Sequence, residues 1–407
     1  MRRIAWWLLL LFAFAIPWEY SLDVGEPLGN IARILGLLLL LAAVPALLQA
    51  GRLRAPGAMQ WLALALYLWF CCTYFWTIAP LATLEKMRGY FQEMMIVWLV
   101  WEFAESPRDL RALLRAYIAG SWVLAALTLA NFGSAEAIAA SQIRFAAEGQ
   151  DPNDVARFLD LGLPLAALLV RCEPRWPARL LALGYLPLGL AAVVLTASRG
   201  GFLAAALALA GCALLLFRSR PRQALVGVLS LLVLAAALWF SVPHETLERL
   251  ATIPSQLQGG DLNQRLQIWT AGWRAFAQSP VAGSGAGSFV SAARMNPLDT
   301  AHNSALSILV GGGLIALSLA VAIVVLAARA ALKTRGPLKV ALGTVLAVWA
   351  VASQVDTTEE NRATWLLLGL IALAGRLAVE QPGELAECFD GGSQSGQESS
   401  QALLVLP

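Results

Sequence analysis

Charge is scarce in this sequence. Asp, Glu, Lys and Arg make up 14% of its 407 residues, against 59% hydrophobic residues and a mean hydropathy of +0.67. A water-soluble domain carries about a quarter of its residues charged, so a soluble fold is excluded. The net charge of +3 is too small to suggest a nucleic-acid partner. Cysteine is sparse too. Cys71, Cys72, Cys172 and Cys212 lie in or beside apolar runs, and Cys388 lies near the C-terminal end. With none on a predicted outer loop, neither a disulfide framework nor a thiolate metal site is indicated. Histidine is rarest of all, present only as His244 and His302.

What fills the chain instead is a series of apolar runs of about 17–25 residues, long enough to cross hydrocarbon as helices. Twelve spans are predicted, at roughly 4–19, 30–49, 58–79, 90–103, 112–131, 155–171, 179–197, 200–217, 224–241, 304–329, 338–356 and 364–380. The fold class is therefore an all-α polytopic membrane protein. Nine spans occupy 1–241, a long loop runs from 242 to 303, and three spans follow over 304–380. The polar, Gly/Ser-rich segment 381–407 is expected to be a disordered tail. The opening "MRRIAWWLLLLFAFAIPWEY" has no small-residue cleavage site after it and reads as the first span, not a signal peptide.

Alternate connections divide by charge. Eighteen of the 29 basic residues, from Arg2 and Arg3 through Arg111, Arg175 and Lys333 to Arg376, fall on one side in short segments. The positive-inside rule makes that side, with both termini, cytoplasmic. Against this rule, Arg33, Lys86, Arg88, Arg144, Arg157, Arg199, Arg249, Arg265, Arg274, Arg294 and Arg362 fall on the outer face. Each is open to two readings. The stem can lie on apolar surface while the guanidinium reaches lipid head groups, or the planar fork can bind phosphate oxygens.

Within the long loop, "DLNQRLQIWTAGWRAFAQS" (261–279) reads as an amphipathic helix. Leu262, Leu266, Trp269, Trp273 and Phe276 share one face, with Asn263, Gln264, Gln267, Arg274 and Gln278 opposite. Arg265 sits at the margin of the apolar stripe, about 40° from Trp269, while Arg274 points away. The glycines at 283, 285 and 287 are not a nucleotide-binding signal, because no strand or βαβ unit surrounds them; a tight turn with close backbone approach is expected. Asp299 or Thr300 is the expected cap of the tenth span, which puts His302 in its first turn. There the helix dipole and neighbouring arginines favour neutral imidazole, able to accept a proton. A capping or hydrogen-bonding histidine is the alternative. Arg199 precedes Gly200 and Gly201 at the turn between spans seven and eight. In "SQIRFAAEGQDPNDVARF", Asp151 and Asp154 are expected to cap a helix and not to bind a cation.

The order of "SRGG", "RLQIWTAGWRAFAQSPVAGSGAGSF" and "DTAHNSALSILVGGGLIAL" resembles the bacterial O-antigen ligase/polymerase superfamily, and within it the O-antigen ligases. The resemblance covers about residues 195–325 by motif and the whole chain by topology. It implies a GT-C-like glycosyltransferase of the inner membrane with its site facing the periplasm. The donor it implies is a glycan on undecaprenyl pyrophosphate, and the acceptor a sugar hydroxyl of lipid A–core oligosaccharide. The family's essential positions fall on Arg199 and Arg265, as pyrophosphate ligands, and on His302, as the catalytic base. Arg144, Arg88 and Asn303 are further candidates for substrate contact. No cofactor is expected, and no metal, since no acidic cluster marks the outer face. The rival readings are an O-antigen polymerase, a protein O-oligosaccharyltransferase, or a transporter of the lipid-linked glycan. A transporter places polar residues at mid-membrane and often carries inverted repeats; here the notable polar residues gather at one face.

The charge asymmetry is testable directly. With the native cysteines replaced, a cysteine at Ser255 is expected to react with an impermeant maleimide from outside. One at Ser219 is expected to react only after permeabilisation. The opposite pattern would overturn the orientation.

Overall fold

The computed structural model describes residues 1–25, 29–134, 142–217, 242–260, 264–296 and 300–391. Among them the chain is helical without a sheet. Helices α1 (Arg2–Ala15), α2 (Ile31–Ala50), α3 (Ala58–Cys72), α4 (Pro80–Phe103), α5 (Pro107–Phe132), α6 (Pro152–Cys172), α7 (Trp176–Leu195) and α8 (Arg199–Phe217) form the first part. An arm of shorter helices follows: α9 (His244–Ala251), α10 (Ile253–Gly259), α11 (Arg265–Gln278) and α12 (Phe289–Ala293). Then come α13 (Ser304–Lys333), α14 (Gly336–Ala352) and α15 (Arg362–Glu380), ending in the short α16 (Pro382–Ala386).

Among the described residues, eight helices are long and apolar enough to cross a membrane, and each coincides with a predicted span. The fourth, sixth and eleventh predicted spans are α4, α6 and α14. The ninth, 224–241, lies outside the described residues. The outer surface of the bundle carries large apolar side chains such as Leu41, Leu48 and Leu214, more than half exposed in the bare protein. A bilayer has no water to be shielded from, so these are the lipid-facing positions.

Helix α6 runs through the centre. Every residue from Val155 to Val170 is buried, including Arg157 and Asp160. Helix α4 begins ten residues before the predicted fourth span. Pro80 opens it, and Lys86 in its second turn is matched inside the protein by Glu360. The segment expected to be a disordered tail is ordered at its beginning. Residues 382–391 are helical, Phe389 is buried, and Arg111 Nη1 donates to the Cys388 carbonyl (3.2 Å). The rest of that segment, 392–407, lies outside the described residues.

The tenth predicted span is one helix by apolarity but two in the structure. Helix α13 breaks at Gly313 (φ 67°, ψ −165°), backbone that only glycine adopts freely. An unbroken helix would pair Leu314 N–H with the Val310 carbonyl, and Ile315 N–H with that of Gly311. Instead, Leu314 and Ile315 donate to the carbonyls of Pro280 and Val281 (2.9 and 3.4 Å). The carbonyls of Val310 and Gly311 accept from Ser284 and Gly285 (2.8 and 3.0 Å). The Gly312 carbonyl takes a hydrogen bond from Trp69 Nε1 (2.7 Å). The glycine-rich segment is thus the tight turn the sequence predicts, docked into the gap. A methyl on Gly285 (φ 111°) would lie 2.0 Å from the Thr77 hydroxyl.

A methyl on Gly313 would lie 2.1 Å from the Val281 carbonyl oxygen. Gly313→Ala is therefore expected to destabilise by about 2 kcal/mol or more, read as a lowered thermal unfolding midpoint. Gly343→Ala, where an added methyl meets nothing within 4 Å, is expected to be neutral or slightly stabilising. Equal midpoints for Gly313→Ala and the parent would refute the strain argument.

Candidate active site

Helices α11 and α12 of the arm and the start of α13 make a small core of their own. Ile268 and Ala275 of α11, Phe289 of α12, and Ala301, Leu306 and Val310 at the start of α13 are buried together. The buried stripe of α11 is Ile268, Gly272 and Ala275. This corrects the predicted apolar face, since Leu266 and Trp273 are exposed. The periodicity is right but the inward direction is rotated, because small residues let α11 lie close against α13. A Cβ on Gly272 would already meet Leu306 at 2.8 Å. Helix α11 also starts at Arg265, after Gln264 in the left-handed region (φ 65°), and residues 261–263, with Leu262 and Asn263, lie outside the described residues.

Arg199 opens α8 and Arg265 opens α11, and both line one cleft of about 90 Å³. Arg249, Asn153, Gln256 and Trp269 complete its polar and aromatic wall. The first turns of two helices therefore face the same space, and the positive ends of their dipoles add to the guanidiniums. The "ASRGG" turn explains the placement of Arg199. Ala197 takes a left-handed conformation (φ 48°), and Ser198 Oγ accepts from Gly201 N–H (3.2 Å), capping α8. Ser198 Oγ also donates to Asn153 Oδ1 (2.9 Å). Arg144 Nη2 donates to that same oxygen (2.9 Å), and its Nε to the Thr196 carbonyl (3.2 Å), so Arg144 stands beside the cleft. Arg199 Nε donates to the Arg249 carbonyl and Arg249 Nε to the Ala197 carbonyl, each at 3.2 Å.

Burial, and then the neighbouring arginines, loosen the hold of Arg144, Arg249 and Arg265 on their protons. For Arg265, burial lowers the pKa first; Asp356 and Asp151 oppose this, and Arg199 adds to it. Arg249 is lowered by burial and then by Arg199. Arg144 is lowered by burial and by Arg249, Arg265 and Arg199, with Asp151 opposing. A bound polyanion would relieve all of this repulsion at once.

His302 does not line the cleft and does not sit in a helical turn. Asn303 is the N-cap of α13, its Oδ1 accepting from Leu306 N–H (2.9 Å). The Asp299-or-Thr300 cap is thereby corrected, and His302 precedes the cap in a left-handed conformation (φ 44°). Its Nδ1 lies 3.3 Å from Thr300 Oγ1. The link to the cleft is short: Trp269, a cleft residue, donates from Nε1 to the carbonyl of Ala301 (3.2 Å), which adjoins His302. Asn303 is occupied structurally, its Nδ2 donating to the Gln354 carbonyl (3.2 Å). Arg88 is elsewhere, in a groove between α2 and α4.

Asp151 caps α6, as expected, accepting from Asn153 N–H (2.7 Å). Asp154 instead pairs with Arg157 (2.5 Å), which also reaches Asp356 (2.6 Å). No local pattern marks Asp356, whose partner is 199 residues away; sequence reading missed it. It tethers the 353–361 loop to α6 while Ser304 Oγ donates to the Asp356 carbonyl (3.1 Å). Among the described residues, no group of three His, Cys, Asp or Glu could hold a metal ion.

Removing one partner of a buried pair strands the other charge. Arg157 is only 3% exposed and is the shared partner of Asp154 and Asp356, so Arg157→Ala is expected to cost on the order of 3 kcal/mol, measured by denaturant unfolding in detergent. A loss below about 0.5 kcal/mol would mean the pair contributes no more than an exposed one.

Residues 184–321 match the family model described as O-antigen ligase. No curated protein matches the chain. The matched segment contains Arg199, Arg249, Arg265 and His302, and with them the broken helix and the glycine turn docked into it. The family implies a ligase- or polymerase-type glycosyltransferase acting on lipid-linked glycans in a membrane. Over residues 184–321, about a third of its length, this chain is similar to the O-antigen ligase family.

Proposed function

We propose that the protein transfers a glycan from undecaprenyl pyrophosphate to a sugar hydroxyl of lipid A–core oligosaccharide. The transfer takes place at the periplasmic face of a bacterial inner membrane, with both termini of the chain cytoplasmic. The observation that carries this reading is the convergence of Arg199, Arg249 and Arg265 on one cleft beside the His302 loop.

A pyrophosphate leaving group is already a stable anion, so its departure needs charge neutralisation more than proton donation. In this reading Arg199 and Arg265 hold its oxygens, and Arg249 and Arg144 add positive potential. His302 takes the proton of the acceptor hydroxyl as that oxygen attacks the anomeric carbon. The new C–O bond forms as the bond to the pyrophosphate oxygen breaks, and the electron pair leaves with the phosphate. One displacement inverts the anomeric centre. Because the guanidiniums supply the neutralisation, the transfer is proposed to be independent of metal and cofactor.

Purified protein given lipid-linked glycan with either core lipid or a second lipid-linked glycan tests the acceptor. Ligated core lipid supports the ligase, and a lengthened lipid-linked glycan would replace it with a polymerase. Arg265→Lys keeps the charge but loses the planar fork, and is expected to weaken donor binding and turnover together. His302→Ala is expected to leave donor binding intact while the initial rate falls about 10²-fold or more. Near-normal turnover by a well-folded His302→Ala variant would remove the base assignment.

A further inference from the structure

Arg33 and Arg88 play no part in the cleft, yet they are not scattered surface charges. Both line a second cavity, of about 290 Å³, that opens between α2 and α4 over the side of α1. Arg362 and Gln92 share its charged end, where Arg362 Nη2 donates to Gln92 Oε1 (2.8 Å) and Nη1 to Glu19. Glu19 thus balances Arg362. Among the described residues, neither Arg33 nor Arg88 meets a carboxylate. The rest of the cavity is hydrocarbon, from Phe12 and Leu40 to Phe91 and Leu99.

The helical register orders these side chains. On α2, Arg33, Leu37 and Leu40 follow one another along one face, and on α4 so do Arg88, Gln92, Met95 and Leu99. Each helix therefore offers a guanidinium at one end of the groove and apolar surface beyond it. From Arg88 to Leu99 is about 16 Å of helix, roughly half the thickness of a bilayer's hydrocarbon core. Leu37 and Phe91, at 55% and 39% exposure, leave the groove open to the side. A free anion would satisfy the arginines but leave this slot unfilled, and an uncharged lipid would fill the slot but leave two guanidiniums unmatched.

We propose that this groove is a binding site for a phosphate-bearing lipid. Arg33 and Arg88 grip the head-group phosphate, and one hydrocarbon chain lies between α2 and α4. The site is separate from the arginine cleft and does not depend on the reaction proposed there.

Native mass spectrometry of the delipidated full-length protein tests it, with dioleoyl phosphatidic acid and dioleoyl phosphatidylcholine as probes of identical chains. The first phosphatidic acid is expected to bind at least about tenfold more tightly than phosphatidylcholine, the scale of one charge-assisted contact. Arg33→Gln and Arg88→Gln, each checked by its unfolding midpoint, are expected to remove most of that preference. Arg88→Lys, the milder change, should fall between them and the parent, and Arg199→Gln should leave the preference intact. Equal binding of the two lipids, or a preference that survives both Gln variants, overturns the proposal. So does displacement of phosphatidic acid by millimolar inorganic phosphate, which would mark a free-anion site.

Discussion

The interruption of one helix organises this protein. At Gly313 the backbone of α13 turns away from helical geometry, and its unpaired amides and carbonyls are taken up by residues 280–285. Inside a membrane protein such groups cannot be left open, because each would cost several kcal/mol. The exchange fastens the arm to the bundle through main-chain bonds, independently of side-chain identity. Its far side is held as well. Ile78 N–H donates to the Ser284 carbonyl (3.2 Å), and Thr73 and Thr83 bind the two polar groups of Ala286. The half-helix from Ser304 then belongs to the arm, and it orients the His302 turn toward α11.

The cleft shows how a fold can hold like charges together. Arg144, Arg199 and Arg249 each donate to a backbone carbonyl of the same region, which orients the guanidiniums without neutralising them. Three of the described carboxylates nearby are engaged elsewhere. Asp151 serves as a helix cap, and Asp154 and Asp356 are engaged by Arg157. Positive potential therefore remains at the cleft, where two helix N-termini reinforce it. Such a site is preorganised for a phosphate-rich group, and electrostatic preorganisation of this kind is what stabilises a departing anion.

Hydrophobic periodicity and run length were sufficient to read the helical, membrane-spanning class from sequence, because bilayer thickness imposes nearly the same length on every span. Arg199 and Arg265 could be singled out from the expected topology, because comparing a charge's place with a general rule needs no three-dimensional information. The glycine turn was legible as a close approach of backbone, since no other residue tolerates it. Helix α4 was read short because Glu85, Lys86 and Arg88 look like a loop until Glu360, the distant partner of Lys86, is known.

Tertiary structure alone decided the rest. The break in α13 is invisible in an apolar run, because Gly311, Gly312 and Gly313 are compatible with a continuous span until a second segment supplies hydrogen bonds. The inward face of α11 depended on Gly272 and Ala275 meeting α13, which side-chain size permits and periodicity cannot foresee. Asp356 was tied to α6 by a buried partner 199 residues away, and Arg249 joined the cleft through the turn that brings α9 against Ala197. Local sequence determined which segments are helices and which charges are out of place; long-range packing determined which of those charges share a cleft, because only the folded chain sets the distances over which they act.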